Sequence, residues 1–306
     1  MNKDKKIFAF IDSGIDGATS LLILKWLYGW NNVHHFEAYN GNISDVITNW
    51  TKVNDISKFD HIYIIDLDIS ESIIDIVNKK VFCIVDHHAN NIKRKDRFTN
   101  CTALIANTTS CSKLLYNIFK SELSKVLTLP QKNLIALVDC CDSYTFTLPN
   151  SRELSIVYNN STTQRDKVQK YINDFKVGSV ELTEPQRNIV EFHKNRVKKA
   201  INELQPYFAT FSVNKNSYKG VSAFTTSCIN EVSDYILSKY KADISFVINT
   251  ETSTVSLRRS RECNADLSEL AKKLLNGYGY EYAAGGKLSD TFLMFSKIFK
   301  PVNESI

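Results

Sequence analysis

The sequence predicts an α/β fold: a parallel-sheet domain with helices on both faces, joined by a helical linker to a smaller C-terminal α/β domain. Two observations carry this. Through the first half, short β-branched or aromatic runs alternate with helix-length amphipathic stretches and end in polar residues, the pattern of successive βαβ units. After Pro206 the pattern changes to closely spaced strand-like segments with two helices among them. With 306 residues, 43% hydrophobic and 23% charged, and only 10 Gly and 5 Pro, the chain is neither disordered nor fibrous and can fill two cores.

In chain order, IFAFID (7–12) reads as a strand and SLLILKWLYGW (20–30) as its helix. HIYIID (61–66) and ESIIDIVNKK (71–80) repeat the unit, and VFCIVD (81–86) leads into HHAN. Helices follow from Ser110 and from Gln131. The Asn-rich stretch 158–176 reads as an exposed interdomain segment. Thr183 and Pro185 then open a helix with apolar residues at helical spacing. This predicts a first domain over 1–182, a connecting helix over 183–205 and a second domain over 206–306. Its strands are YFATFSV, GVSAFTT, ADISFVINT and TVSLRRS, with helices near 230–240 and 266–275.

No apolar run approaches the roughly 18 residues needed to span a bilayer. The N-terminus passes straight into a strand with no small-residue cleavage site, so the chain is expected in the cytoplasm, away from membranes. Seven Cys without a CxxC pair argue against a disulfide framework or a zinc ribbon and for reduced thiols. A net charge of +5 agrees with an anionic ligand without demanding one.

Ligands of parallel α/β sheets gather beyond the carboxyl ends of the strands. Asp12, Asp66 and Asp86 all stand where a strand should stop, so three carboxylates are expected on one edge. VDHHA adds His87 and His88, IDSGIDGATS adds Asp16 in a glycine-containing turn, and LVDCCDSY adds Asp139 and Asp142 at a helix end. Acids of this kind with a histidine suit Mn²⁺ or Mg²⁺. Two such ions about 3.5–4 Å apart can activate a water and stabilise a leaving oxygen in phosphoryl displacement. His34, His35, His61 and His193 lie outside these motifs and read as surface or capping residues.

These motifs resemble those of the DHH-family phosphoesterases, which include RecJ-type exonucleases, nanoRNases and cyclic-dinucleotide phosphodiesterases. Asp12 to Ser20 is similar to the DxDxDGxTS first motif, Asp66 falls on the second-motif acid, Asp86-His87-His88 on the signature tripeptide, and Asp139 or Asp142 on the fourth-motif acid. Further on, TVSLRRSRECNADL resembles the family's VSLRS segment, and Gly277 to Gly285 resembles its GGGHxxAAG loop. The likeness runs from about Ile7 to Phe299.

The resemblance implies a metal-dependent phosphodiesterase or exonuclease acting on short or single-stranded nucleic acid. Asp12, Asp16, Asp66, His87 and Asp139 or Asp142 would hold a two-metal Mn²⁺ or Mg²⁺ site. Asp86, His87 and His88 would serve catalysis, and Arg258, Arg259, Gly277, Gly279, Tyr280 and Gly285 would bind substrate. Two departures weigh against full activity: Gly14 replaces the middle Asp of the first motif, leaving one metal position in doubt, and Tyr280 replaces the loop His. The alternatives are a cyclic-dinucleotide, dinucleotide or small-nucleotide phosphodiesterase, and a non-catalytic nucleotide-binding homologue.

Overall fold

The computed structural model describes residues 4–160, 166–178, 181–213 and 216–288. The chain divides into two compact units, 1–190 and 191–306. No described helix is long and apolar enough to cross a membrane.

The first unit runs β1 (Ile7–Asp12), α1 (Ile15–Tyr28), β2 (Val33–Ala38), α2 (Ile43–Val53), β3 (His61–Ile65), α3 (Ile74–Val77), β4 (Phe82–Asp86), α4 (Ala89–Lys93) and β5 (Thr102–Ile105). Helices follow: α5 (Cys111–Ile118), α6 (Lys120–Leu123), α7 (Leu129–Asp142), α8 (Ser151–Asn160), α9 (Lys167–Phe175) and the start of α10 (Glu184–Asn202). The five strands are parallel in the order β2-β1-β3-β4-β5. A sheet buried on both faces takes continuous apolar strands, which is why IFAFI, IYII and FCIV do not alternate with polar residues.

The alternation is instead between two cores. Ile7, Ala9, Ile11, Tyr63, Ile65, Cys83 and Val85 pack with α1, α5, α7 and α9. On the opposite face Phe8, Phe10, Ile62, Ile64, Phe82 and Ile84 pack with Ile43 and Ile47 of α2 and Ile74 and Val77 of α3. Leu21 to Leu24 of α1 are fully buried in sequence, because strands and helices enclose that helix all round. Its start is drawn close to β1 at Gly17, where a Cβ would stand 2.2 Å from the Asp12 carbonyl oxygen.

The second unit contains β6 (Tyr207–Val213), β7 (Asn216–Thr225), α11 (Ile229–Tyr240), β8 (Ile244–Asn249), β9 (Thr254–Arg259), α12 (Leu267–Leu275), β10 (Tyr278–Tyr280) and β11 (Ala283–Lys287). Its sheet has the order β10-β11-β9-β8-β7-β6. Only the β7–β8 pairing is parallel, and α11 supplies the crossover it requires. Asp266 caps α12 by accepting from Ser268 N and Glu269 N.

Three expectations need correction. The described part of 158–176 is not an exposed segment: Tyr158, Val168, Tyr171, Ile172 and Phe175 of α8 and α9 are buried, and Tyr171 bonds Thr19 of α1 at 2.8 Å. Residues 161–165 of that stretch, and 289–306 of the expected C-terminal domain, lie outside the described residues. The expected helix over 71–80 is a single 3-10 turn followed by the four-residue α3. The segment 277–285 is mostly a β-hairpin rather than a loop. Its glycines admit close strands: a Cβ on Gly277 would lie 2.0 Å from Gly285 O, and Gly279 has φ +153.

Gly17→Ala is expected to lower unfolding free energy by at least about 1–3 kcal/mol, the usual cost of overpacking, since backbone rather than a side chain must give way. Urea unfolding checks it; an unchanged midpoint would refute the close-packing role.

Candidate metal centre

Three neighbouring parallel strands end on one edge, and each delivers an acid there: Asp12 closes β1, Asp66 follows β3 and Asp86 closes β4. Asp12 is fixed by its own turn, Oδ2 accepting from Gly14 N at 2.6 Å. The Tyr158 hydroxyl donates into the same turn, 2.6 Å from Ser13 O and 3.0 Å from Gly14 O. Asp66 adopts a left-handed backbone, φ 61, a conformation Asp tolerates better than most residues.

Asp16, in the first turn of α1, is 1% exposed. Its carboxylate accepts from Cys111 N at 2.6 Å and Ser112 N at 3.0 Å, at the N-terminus of α5. Those unsatisfied N–H groups and the positive end of the helix make burial of the charge tolerable.

The two histidines differ. His87 Nδ1 lies 3.2 Å from Thr108 O and donates its N–H there, so Nε2 faces the acids, 3.3 Å from Asp66 Oδ1 and 3.5 Å from Asp142 Oδ2. His88 Nδ1 meets Asp86 Oδ1 at 2.6 Å. Asp86 is fully buried, and its Oδ2 accepts from Asn91 Nδ2 at 2.7 Å and from His88 N at 3.1 Å. Asn91 also donates to Leu67 O and accepts from Ile69 N, tying the Asp86 turn to the chain after β3. Asp86 thus orients His88, the arrangement by which a carboxylate fixes a ring and raises its basicity.

Asp16, Asp66, His87 and Cys111 each offer a ligand atom within one cluster of 4.8 Å, and Asp66, Asp86 and His88 form a second that shares Asp66. Burial pushes Asp66 up to about 7, with Asp16 adding repulsion against the pull of His87. The surrounding protein, then Asp16 and Asp66, push Asp142 up to about 9, although its side chain keeps 26% of its surface open. Burial disfavours the His87 imidazolium, yet Asp66, Asp142 and Asp16 outweigh it and raise the ring to about 10. Asp12 and Asp16 are raised chiefly by burial. Carboxylates crowded until they hold protons are a donor set that a divalent cation would relieve, and hard oxygens with one imidazole suit Mn²⁺ or Mg²⁺.

Asp139 stands apart from this group. Its carboxylate accepts from Thr109 and Ser110 hydroxyls and pairs with Lys113 Nζ at 2.9 Å. Burial opposes its charge, but those partners hold it below the usual range. Of the two acids at the end of α7, Asp142 is therefore the one turned to His87. Lys113, Asn91, Tyr158 and Cys111 escaped the sequence reading; only Asn91, five residues past Asp86 and following the HHAN run, carried a local signal.

In the C-terminal unit, Arg258 donates to Leu257 O and to Asn230 Oδ1, both at 2.9 Å. Arg259 donates to Ala265 O at 2.6 Å and lies 3.7 Å from Glu281. Tyr280 stacks on Tyr282 with centroids 5.5 Å apart and 7° between planes. Gly285 lies in β11, where a Cβ would meet Val255 O at 2.7 Å. His35 is pushed down to about 4, mainly by burial, and His61 faces Lys5 Nζ at 3.0 Å, so neither joins the acids.

No protein-family model and no curated protein matches the sequence. Solved structures do match in fold. A pGpG-specific phosphodiesterase from Vibrio cholerae aligns at TM-score 0.59 and 14% identity over 96% of this chain and 97% of its own. The DHH domain of a member of the s1p family of ribosomal proteins aligns at 0.57 and 12% over 96% and 86%. An exopolyphosphatase-related protein from Bacteroides fragilis aligns at 0.54 and 14% over 97% and 90%. The chain shares the fold of these structures, a DHH domain among them: a parallel-sheet domain followed by a second α/β unit.

The raised acids set a pH dependence. Asp66 and Asp142, lifted from 3.8 to about 7 and about 9, stabilise the metal-free chain while protonated, below the unfolded value, and lose that contribution as pH climbs through the folded values. His87, lifted from 6.5 to about 10, stabilises below 6.5 and loses its share as pH rises through 10. The melting temperature of chelated protein should therefore fall from about pH 5 to 9, and Mn²⁺ should raise it more at pH 9 than at pH 5. Equal Mn²⁺ shifts at both pH values would contradict this.

Proposed function

We propose that the chain is a metal-dependent phosphodiesterase that hydrolyses short or single-stranded nucleic acid, dinucleotides included. The observation that carries the reading is the meeting of Asp16, Asp66 and His87, with Asp142 against His87, at the carboxyl edge of a parallel sheet. Asp12, Asp16, Asp66, His87 and Asp142 would hold Mn²⁺ or Mg²⁺, which supplies a Lewis acid and charge neutralisation for in-line phosphoryl displacement.

The chain's own groups have separate tasks. Thr108 O fixes the His87 ring so that Nε2 points at the acids. Asp86, steadied by Asn91, holds His88 through Nδ1 and, against burial, raises its pKa. When protonated, His88 would offer an Nε2–H to neutralise charge on a phosphoryl or leaving oxygen. In the C-terminal unit, Arg258 and Arg259 carry the planar guanidinium fork that a phosphate would accept. Gly277, Gly279, Tyr280 and Gly285 form the hairpin on which a terminal base could stack against tyrosine. The whole-length likeness in fold to a pGpG-specific phosphodiesterase favours dinucleotides within this substrate class.

Gly14 offers no ligand, and an Asp there would not simply supply one: a Cβ at that position stands 2.7 Å from Asp12 Oδ2 and would displace it. The reading is tested by Mn²⁺-dependent hydrolysis of a labelled panel of dinucleotide, cyclic dinucleotide, short RNA and single-stranded DNA. Asp66→Asn and His87→Ala should each lose more than about 100-fold in rate. Asn91→Ala should lose about 10–100-fold through misorientation. Asp139→Asn should keep the rate within a few-fold. Silence across the panel from protein that still binds Mn²⁺ and nucleotide would overturn catalysis in favour of a non-catalytic nucleotide-binding protein.

A further inference from the structure

A second group of metal-ligating side chains lies within the C-terminal unit. One imidazole nitrogen of His193, the Cys228 sulfur and a Glu231 carboxylate oxygen are within 4.8 Å of one another. His193 comes from the part of α10 that belongs to this unit, Cys228 is the N-cap of α11, and Glu231 stands in the first turn of that helix. The His193 side chain is 12% exposed, with Nε2 2.9 Å from Glu231 Oε1. Its Nδ1 is buried and has no hydrogen-bond partner among the described residues. Hydrogen bonding within the protein thus satisfies one nitrogen of a nearly buried ring and leaves the other without a partner.

We infer that His193, Cys228 and Glu231 are three ligands of a zinc-type divalent ion, with the fourth tetrahedral position open. Sulfur, nitrogen and oxygen in this combination fit Zn²⁺, and the thiolate disfavours Mg²⁺ and Mn²⁺. Bonds of about 2.0–2.3 Å at tetrahedral angles set ligand atoms roughly 3.3–3.7 Å apart, so the trio needs adjustment by only about 1 Å. Binding is redox-neutral: the thiol proton leaves to solvent as the sulfur–metal bond forms. The inference stands apart from the phosphodiesterase reading and does not depend on it.

The test uses the full-length protein and Co²⁺ as a spectroscopic stand-in for zinc. Wild type should show a thiolate-to-cobalt charge-transfer band with the visible bands of a tetrahedral ion. Cys228→Ser should abolish that band, and His193→Gln should weaken Co²⁺ binding at least about tenfold. Cys111→Ser, which alters the thiol beside Asp66, should leave the band in place. In wild type, Zn²⁺ should protect Cys228 from alkylation, read by peptide mass spectrometry, a measurement that needs no variant to fold. No band in wild type, a band that survives Cys228→Ser, or alkylation of Cys228 unaffected by Zn²⁺ would overturn the site.

Discussion

Crowded carboxylates at low solvent exposure are the constraint on which the first unit depends. Burial raises Asp16, Asp66 and Asp142, and carboxylate repulsion adds to it at Asp66 and Asp142, so each charge needs a compensating group. The fold supplies them from separate elements: two backbone N–H groups at the start of α5 for Asp16, the His87 ring for Asp66 and Asp142, and the His88–Asn91 pair for Asp86. No Lys or Arg makes an ion pair with these four acids among the described residues. Lys113 of α5 is spent on Asp139. A site neutralised by ring protons and helix ends keeps its oxygens accessible to a divalent ion, whereas a fixed ammonium would occupy them.

Strand order makes that arrangement possible. Because β1, β3 and β4 are adjacent and parallel, their carboxyl ends lie side by side, and acids far apart in sequence meet without any long loop. The side-chain period of two then matters: a one-residue slip of any of these strands would exchange its two core faces and turn its terminal acid away. Register is protected by the difference between the cores, one filled by Phe8, Phe10 and Phe82, the other by Ala9, Ile11 and Val85. The approach of α1 to β1 at Gly17 places Asp16 beside the strand ends.

What the sequence could reveal follows from where each constraint lies. Apolar runs ending in Asp12, Asp66 and Asp86 announced the sheet edge because strand ends are local features. Asp139 and Asp142 could not be told apart, since both end the same helix and the choice is made by Lys113 on α5, a neighbour only in three dimensions. The hairpin at 277–285 was hidden by its glycines, which read as a loop although their reason is close approach of paired strands. In 158–176 the Asn and Lys residues masked apolar positions at Val168, Tyr171, Ile172 and Phe175, a helical spacing that the burial of α9 makes plain. β2, α2 and β5 gave too little signal: VHHFEA carries two histidines and an exposed Phe36, as suits the edge strand it is.

Gly14 shows how a missing side chain can be structural and functional at once. In the turn after β1, Asp12 Oδ2 is committed to Gly14 N, and that bond fixes the direction of the carboxylate. The turn is held from behind by the Tyr158 hydroxyl on Ser13 O and Gly14 O, and Tyr158 is in turn packed against Tyr171 in an edge-on contact. An acid at position 14 would press on the oxygen that closes the turn, so the Asp12 carboxylate would have to shift to admit it. Glycine here leaves one pre-oriented carboxylate in place of two competing ones, and the buried tyrosines of α8 and α9 keep it so.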